Sequence, residues 1–194
     1  MTDTTETIDV ERQEELSRRQ REARREIRVI GDPVLREKAR EVTEFDRALR
    51  KLAKRMIRVM HDAPGVGLAA PQMGVLQRLL VYEVDDEPHA LVNPVLGEFS
   101  EETAESDEGC LSVPGLTMPV ERPVSLLVEG FDTSGEPVAF RAEGFEARVI
   151  QHENDHLDGV LIVDRTSRSA RAAALRAMRE REDAGVFGAV GGGL

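Results

Sequence analysis

Residues 145–159 read FEARVIQHENDHLDG, and this stretch decides how the rest of the chain folds. Its spacing predicts a helix with one stripe facing a sheet, at offsets of zero, four, seven and eleven: Phe145, Val149, His152 and His156. On that stripe the two imidazoles lie about 6 Å apart along the axis, close enough to share one metal ion. Burying both without a partner is costly, and a cation is a partner that uses their lone pairs.

The chain around this helix predicts an α+β fold. From Phe45 to about Pro64, apolar residues recur every three or four positions, which is typical of an amphipathic helix. Short apolar runs follow and predict strands: LLVYEV, HALVNPVL, CLSVPG, VSLLVEGF and PVAFRAEGF. We therefore expect mixed antiparallel strands packed around a central metal-binding helix, with an N-terminal helix and a C-terminal helix and no repeated βαβ unit.

The two ends of the chain differ in composition from its middle. Residues 1–26 form a charged extension, flexible or helical, and the catalytic domain spans residues 27–164. Asp158-Gly159 closes the histidine helix, with Gly159 as a left-handed cap. Residues 165–183 predict an Arg-rich C-terminal helix, and residues 184–194 predict a Gly-rich tail.

Composition excludes several classes of protein. A chain of 194 residues fits one domain, and its 4% aromatic content excludes an aromatic-rich binding platform. The net charge is -11, and Glu83 to Glu108 holds ten acidic residues and no Lys or Arg, which argues against nucleic acid along that side. We expect no DNA partner.

Cysteine content and apolar runs predict where the protein resides. The single cysteine excludes an intramolecular disulfide and favours a reducing compartment. The first twenty residues lack the apolar core of a signal peptide, and no apolar run is long enough to span a bilayer. We expect a cytoplasmic protein with no membrane partner.

Two histidines leave a metal site short of a third protein ligand. Asp158 and Asp164 are near in sequence, but Asp158 is expected in the helix-ending turn. Cys110 is the strongest candidate, because a thiolate binds a borderline-soft cation better than another solvated carboxylate does.

Three motifs, in this order along the chain, resemble the peptide deformylase family. They are GVGLAAPQ at residues 65–72, EGCLS at residues 108–112 and QHENDH at residues 151–156, and the resemblance covers roughly Ile27 to Asp164. It implies a metal-dependent hydrolase that removes the formyl group from the N-terminal formylmethionine of nascent polypeptides. Formate is the second product, and metal-bound water is the nucleophile.

The same resemblance implies a role for each matching residue. Cys110, His152 and His156 bind one divalent metal ion, Fe²⁺ in this family, with Zn²⁺ or Ni²⁺ as substitutes. Glu153 is the general base, while the side-chain amide of Gln72 and the backbone N–H of Leu111 stabilise the developing oxyanion.

Further residues are implied to bind substrate or to support the ligands. Gly67 pairs through its main chain with the bound peptide, and three side chains line the methionine slot, unless they are ordinary core: Val66, Phe145 and Val149. Glu108 and Arg122 pair to brace the EGCLS strand, and Asp155 orients a ligating imidazole, unless these are surface charges. One departure is Thr117, where some family members carry an Arg near the bound peptide.

Two alternative functions and one further partner follow from the same residues. An HExxH helix also occurs in small metallopeptidases that cut internal peptide bonds, and an inactive homologue that binds ribosomes is the non-enzymatic alternative. The first does not require Cys110, and the second expects loss of Glu153 or Gln72. The segment Arg165 to Arg181 holds six Arg and one Glu, which suits ribosomal RNA phosphates or an ordinary solvated helix.

Overall fold

The computed structural model describes residues 3–183, with side chains described for residues 13–180. The predicted α+β class is confirmed: helices pack on antiparallel strands. Within residues 3–183, no helix combines the length and apolar character needed to cross a bilayer. The predicted Gly-rich tail, residues 184–194, lies outside the described residues.

Seven strands form two antiparallel sheets in the described part of the chain. The strands are β1 (Gly67–Ala69), β2 (Leu79–Val84), β3 (Glu87–Gly97), β4 (Thr103–Cys110), β5 (Val113–Pro123), β6 (Ser125–Phe131) and β7 (Pro137–Glu143). Five of them form one sheet in the order β1-β2-β3-β6-β7, and β4 pairs with β5 in a separate ribbon. Strand β1 is therefore an edge strand, paired with β2 through Gly67 and Tyr82.

Two helices cover opposite faces of the five-stranded sheet at β2. Helix α2 (Arg47–Asp62) packs its apolar stripe on Leu79 and Val81. Helix α3 (Gly144–Leu157) packs on Leu80 and Tyr82. Successive strand side chains point to opposite faces, so a strand between two helices needs apolar residues at consecutive positions. Because β2 is covered on both faces, LLVYEV begins with consecutive apolar residues.

The N-terminal extension is the helix α1 (Asp3–Glu26), and its last turn belongs to the core. Ala23 is 3% exposed and packs in the cluster that α2 covers. Arg19 pairs with Asp62 at 2.7 Å, and Glu26 pairs with Arg55 at 2.6 Å. The sequence, which predicts only a charged extension here, does not reveal the contact of Ala23 with the core, because one alanine among charged residues gives no apolar stripe.

Helix α3 ends as its sequence predicts. Asp158 follows its last residue, and Gly159 has φ +73° in the left-handed region. The run VLIVD then forms the short helix α4 (Ile162–Arg165), and the Arg-rich helix α5 spans Arg168–Asp183 rather than starting at residue 165. Thr166 has extended angles (φ −96°, ψ 171°) and separates the two helices.

The strand prediction is wrong in two places. CLSVPG contains the last residue of β4, the turn that follows and the start of β5, and the rest of β4 is an acidic segment for which no strand was expected. Strand β4 is exposed at most positions, so it lacks the apolar alternation that marks a half-buried strand. His89, the first residue of the predicted run HALVNPVL, lies in β3 and stacks on Tyr82 with ring centroids 5.0 Å apart.

Gly159 provides a test of the α3 end. A Cβ at this position would lie 2.6 Å from the Arg36 carbonyl oxygen, and the positive φ is strained for any other residue. We expect Gly159→Ala to lower the free energy of unfolding by about 1–3 kcal/mol, measured by urea denaturation. Gly97→Ala is the control, because a Cβ there meets nothing within 4 Å. Equal unfolding midpoints for the two variants would contradict this account.

Candidate metal centre

A thiol and two imidazoles converge between the β4–β5 ribbon and α3. Cys110 ends β4, while His152 and His156 lie one turn apart on α3. The Cys110 Sγ lies 3.2 Å from His156 Nε2, and one potential ligand atom from each of the three residues lies within 4.8 Å of the others. No other group of three His, Cys, Asp or Glu side chains converges in this way within the described residues.

The donor set and its surroundings fit a divalent transition metal. One thiolate and two imidazoles suit borderline-soft cations, and three protein ligands leave a position open for substrate or water. Two buried polar atoms at this centre lack a hydrogen-bond partner among the described residues, Glu153 Oε2 and His156 Nδ1. An unpaired buried polar atom is costly, so Glu153 Oε2 supports a site built around a polar ligand, whereas His156 Nδ1 lies across the ring from the Nε2 that approaches Cys110 and does not bear on that ligand.

Glu108 orients one of the two imidazoles. His152 Nδ1 donates a hydrogen bond to Glu108 Oε2 at 2.8 Å, and this tautomer leaves the Nε2 lone pair for a cation. Burial acts to raise the pKa of the Glu108 carboxyl, but hydrogen bonds from His152 and Arg122 lower it to about 2. Glu108 is therefore ionised at neutral pH.

Buried ion pairs hold Glu108 in place. Arg122, 5% exposed, donates to both Glu108 oxygens at 2.7 and 2.9 Å, and Arg148 donates to Oε1 at 2.7 Å. Removing one partner of such a pair leaves an uncompensated buried charge. Arg148 was not identified from the sequence, because its partner Glu108 is 40 residues away on another element.

The predicted role of Asp155 is wrong. Its carboxylate accepts a hydrogen bond from Arg122 at 3.0 Å and pairs with Arg165, and it is not hydrogen-bonded to the imidazole of His152 or His156. Asp155 lies to one side of the histidine stripe, about 100° around the helix from His156, and its carboxylate meets Arg122 and Arg165. Asp155 instead holds Arg122, which in turn holds Glu108.

Glu153 is buried beside β1. Its carboxylate is 4% exposed, and a Cβ at Gly67 would lie 2.4 Å from Glu153 Oε1. A residue larger than glycine at position 67 would therefore displace this carboxylate. Burial raises the pKa of Glu153 to about 7. A carboxyl group with such a pKa is suited to proton transfer near neutral pH.

Gln72 and Leu111 approach the same centre from two loops. Gln72 lies in the short 3-10 turn Ala70–Met73, and its Oε1 accepts from the Ala69 N–H at 2.7 Å. This contact directs Nε2 towards Ser112 Oγ at 3.1 Å and Cys110 Sγ at 3.8 Å. Leu111 lies in the turn between β4 and β5. Ser112 belongs to the EGCLS motif and is fully buried, and its contact with Gln72 was not predicted from the sequence.

A cavity of about 540 Å³ leads to these groups. Its lining includes each residue predicted to bind substrate: Val66, Gly67, Phe145 and Val149. Val66 and Phe145 are 50% and 58% exposed, which argues against the alternative that they are ordinary core, whereas Val149 is 5% exposed and also packs in the core cluster of α3. Thr117 also lines the cavity.

Comparisons with known proteins agree with this geometry. A sequence model described as "Polypeptide deformylase" matches residues 24–172. The peptide deformylase of Acidothermus cellulolyticus is 53% identical over 161 residues, which are 83% of this chain and 89% of that protein.

Two solved structures share the fold. The crystal structure of peptide deformylase from Thermotoga maritima has a TM-score of 0.72 at 50% identity, covering 73% of this chain and 96% of that one. A peptide deformylase from Synechococcus elongatus in complex with actinonin has a TM-score of 0.75 at 41% identity, covering 78% and 84%. Residues of all three motifs line one cavity. Because the family model and these relatives match most of the sequence, the chain belongs to the polypeptide deformylase family.

Proposed function

We propose that this chain hydrolyses the formyl group from the N-terminal formylmethionine of nascent polypeptides, with Cys110, His152 and His156 binding one divalent cation. The main support is the convergence of these three ligand atoms within 4.8 Å, beside a buried carboxylate that lines an open cavity. Membership of the family supports the same activity.

The cation we expect is Fe²⁺, with Zn²⁺ and Ni²⁺ as substitutes, since all three accept sulfur and imidazole ligands. When bound by these three residues, a divalent cation would supply Lewis acidity at the reacting centre. The chain's own contribution is to keep the ligands in position: Glu108 fixes the tautomer of His152, and the buried pair with Arg122 fixes Glu108.

The substrate peptide binds along the free edge of β1. This edge strand lines the cavity through Gly67, so an extended peptide can add to it by main-chain hydrogen bonds. The methionine side chain occupies the apolar slot formed by Val66, Phe145 and Val149, which sets the formyl carbonyl against Glu153 and Gln72.

The reaction consumes one water and transfers its proton within the site. Water attacks the formyl carbon, Glu153 accepts the proton, and the carbonyl oxygen gains negative charge. Gln72 Nε2 and the Leu111 N–H donate hydrogen bonds to this oxygen. The C–N bond then breaks, Glu153 delivers the proton to the methionine nitrogen, and formate leaves.

Two alternatives fit the site less well. A peptidase that acts on internal bonds does not require a thiol ligand, whereas Cys110 Sγ lies 3.2 Å from His156 Nε2. An inactive homologue is expected to lack the base or the amide donor, whereas Glu153 and Gln72 are both buried beside the ligand group. Formate release from a formylated peptide, compared with cleavage of its unformylated form, separates the first alternative from deformylation.

Glu153→Gln tests the proposed proton transfer. The amide has nearly the same size but cannot accept the proton, so we expect kcat for formyl-Met-Ala-Ser to fall by about 10²–10⁴, with one equivalent of metal retained. Glu143→Gln is the matched control, because Glu143 is an exposed residue that directly precedes α3. Undiminished formate release by Glu153→Gln would refute the mechanism.

We also propose that α5 binds ribosomal RNA. Arg168, Arg176 and Arg179 are exposed on α5, while Ala174 and Met178 hold the helix against β5 and α4. Anchoring on one face leaves the arginines available for phosphates in an otherwise acidic protein. The cytoplasm is the proposed location, since nascent chains emerge there and its reducing environment preserves the Cys110 thiol.

Co-sedimentation with ribosomes tests the role of α5. The triple variant Arg168→Gln, Arg176→Gln, Arg179→Gln should bind more weakly, with a shallower dependence on salt concentration. The control triple variant is Arg47→Gln, Lys51→Gln, Lys54→Gln, which removes the same charge from exposed positions of α2. Equal losses in both variants, or no loss in the first, would contradict a specific role for α5.

A further inference from the structure

We propose that Arg24, on the last turn of α1, determines substrate preference at the active-site cavity by attracting an anionic group of the peptide beyond its methionine. This inference rests on the proposed deformylase function and adds a residue from outside the three motifs. Arg24 lines the same cavity as Cys110 and Glu153, and its side chain is exposed.

The backbone that carries Arg24 is firmly held. Ala23 and Ile27, on either side of it, are buried in the core cluster covered by α2. Glu26 pairs with Arg55 at 2.6 Å and with Arg58 at 3.4 Å. Folding therefore fixes the backbone of Arg24 at the cavity wall, and substrate binding has to order only its side chain.

The Arg24 guanidinium has no side-chain partner among the described residues. Within the part of the chain whose side chains are described, it forms no ion pair or side-chain hydrogen bond, although α1 forms such pairs through Arg18, Arg19 and Glu26. The other cation on the cavity wall, Arg148, is engaged by Glu108 and by the carbonyls of Val120 and Ala104. Arg24 is thus the cation of this wall that remains available to a ligand.

The other charged residues of the cavity wall determine which group of a peptide Arg24 attracts. The negative charge of Glu108 is neutralised by Arg122 and Arg148, and Glu153 is buried at the reacting centre. Asp107 is the other exposed charge on the cavity wall, so the rim presents one cation and one anion. A peptide with a carboxylate a few residues after methionine gains an attraction only from Arg24. A tripeptide spans about 10 Å when extended, which makes its terminal carboxylate a suitable probe.

The test compares formyl-Met-Ala-Ser bearing a free carboxylate with the same peptide as its C-terminal amide. We expect Arg24→Gln to raise KM for the carboxylate by about threefold, as for one exposed ion pair, and to leave kcat and the amide's KM unchanged. Arg24→Glu should reverse the preference in favour of the amide. High salt should remove the difference in the wild-type protein, since exposed charges are screened.

Arg25→Gln is the matched control, because Arg25 is an exposed neighbour on the same helix turn that does not line the cavity. This variant should behave as wild type with both peptides. Equal changes for the carboxylate and the amide in Arg24→Gln, or no change for either, would overturn the inference while leaving deformylation intact. Absence of formate release by the wild-type protein from both peptides would instead overturn the proposed function, and this inference with it.

Discussion

The structure depends on the burial of polar side chains along one helix. His152, Glu153 and His156 all lie inside the protein on α3, the helix that also covers one face of the five-stranded sheet. Polar groups in such a position must be hydrogen-bonded or bind a ligand. Glu108 accepts the hydrogen bond from His152 and is itself held by Arg122, and the proposed cation would use the Nε2 lone pair that His152 keeps. Folding and the proposed metal binding are thus linked, since the helix that closes the core also carries His152 and His156.

The two loops that complete the site are joined to the segment after α1. The Arg28 N–H donates to the Gln72 carbonyl at 2.7 Å, and the Ile30 N–H donates to the Ser112 carbonyl at 2.8 Å. One extended segment therefore fixes both the turn that carries the Gln72 amide and the turn that contains Leu111. Such preorganisation matters because an oxyanion donor is effective only when it is already in place.

Much of this site follows from local chemistry in the sequence. The histidine spacing predicted the helix and its buried stripe, and the softness of sulfur singled out Cys110 from the nearby aspartates. The pairing of Glu108 with Arg122, inferred from the resemblance, corresponds to hydrogen bonds of 2.7 and 2.9 Å. These features depend on residue type and on short spacings, which a sequence displays directly.

Other features depend on contacts between distant elements, and the sequence does not display them. Strand β4 exists because β5 pairs with it, not because its acidic residues favour a strand. The choice of Glu108 rather than Asp155 as the partner of His152 requires the rotation of α3 relative to the ribbon. Arg24 and Arg148 join the cavity from other elements, without a motif around either of them.

X-ray absorption spectroscopy of the full-length protein, loaded with one equivalent of Zn²⁺, tests the metal centre most directly. The account predicts one sulfur neighbour at about 2.3 Å and two imidazole nitrogens at about 2.0 Å from the ion, with the sulfur signal absent in Cys110→Ser. A spectrum with nitrogen and oxygen neighbours alone, unchanged by that substitution, would show that the thiol does not bind the metal and would contradict the account.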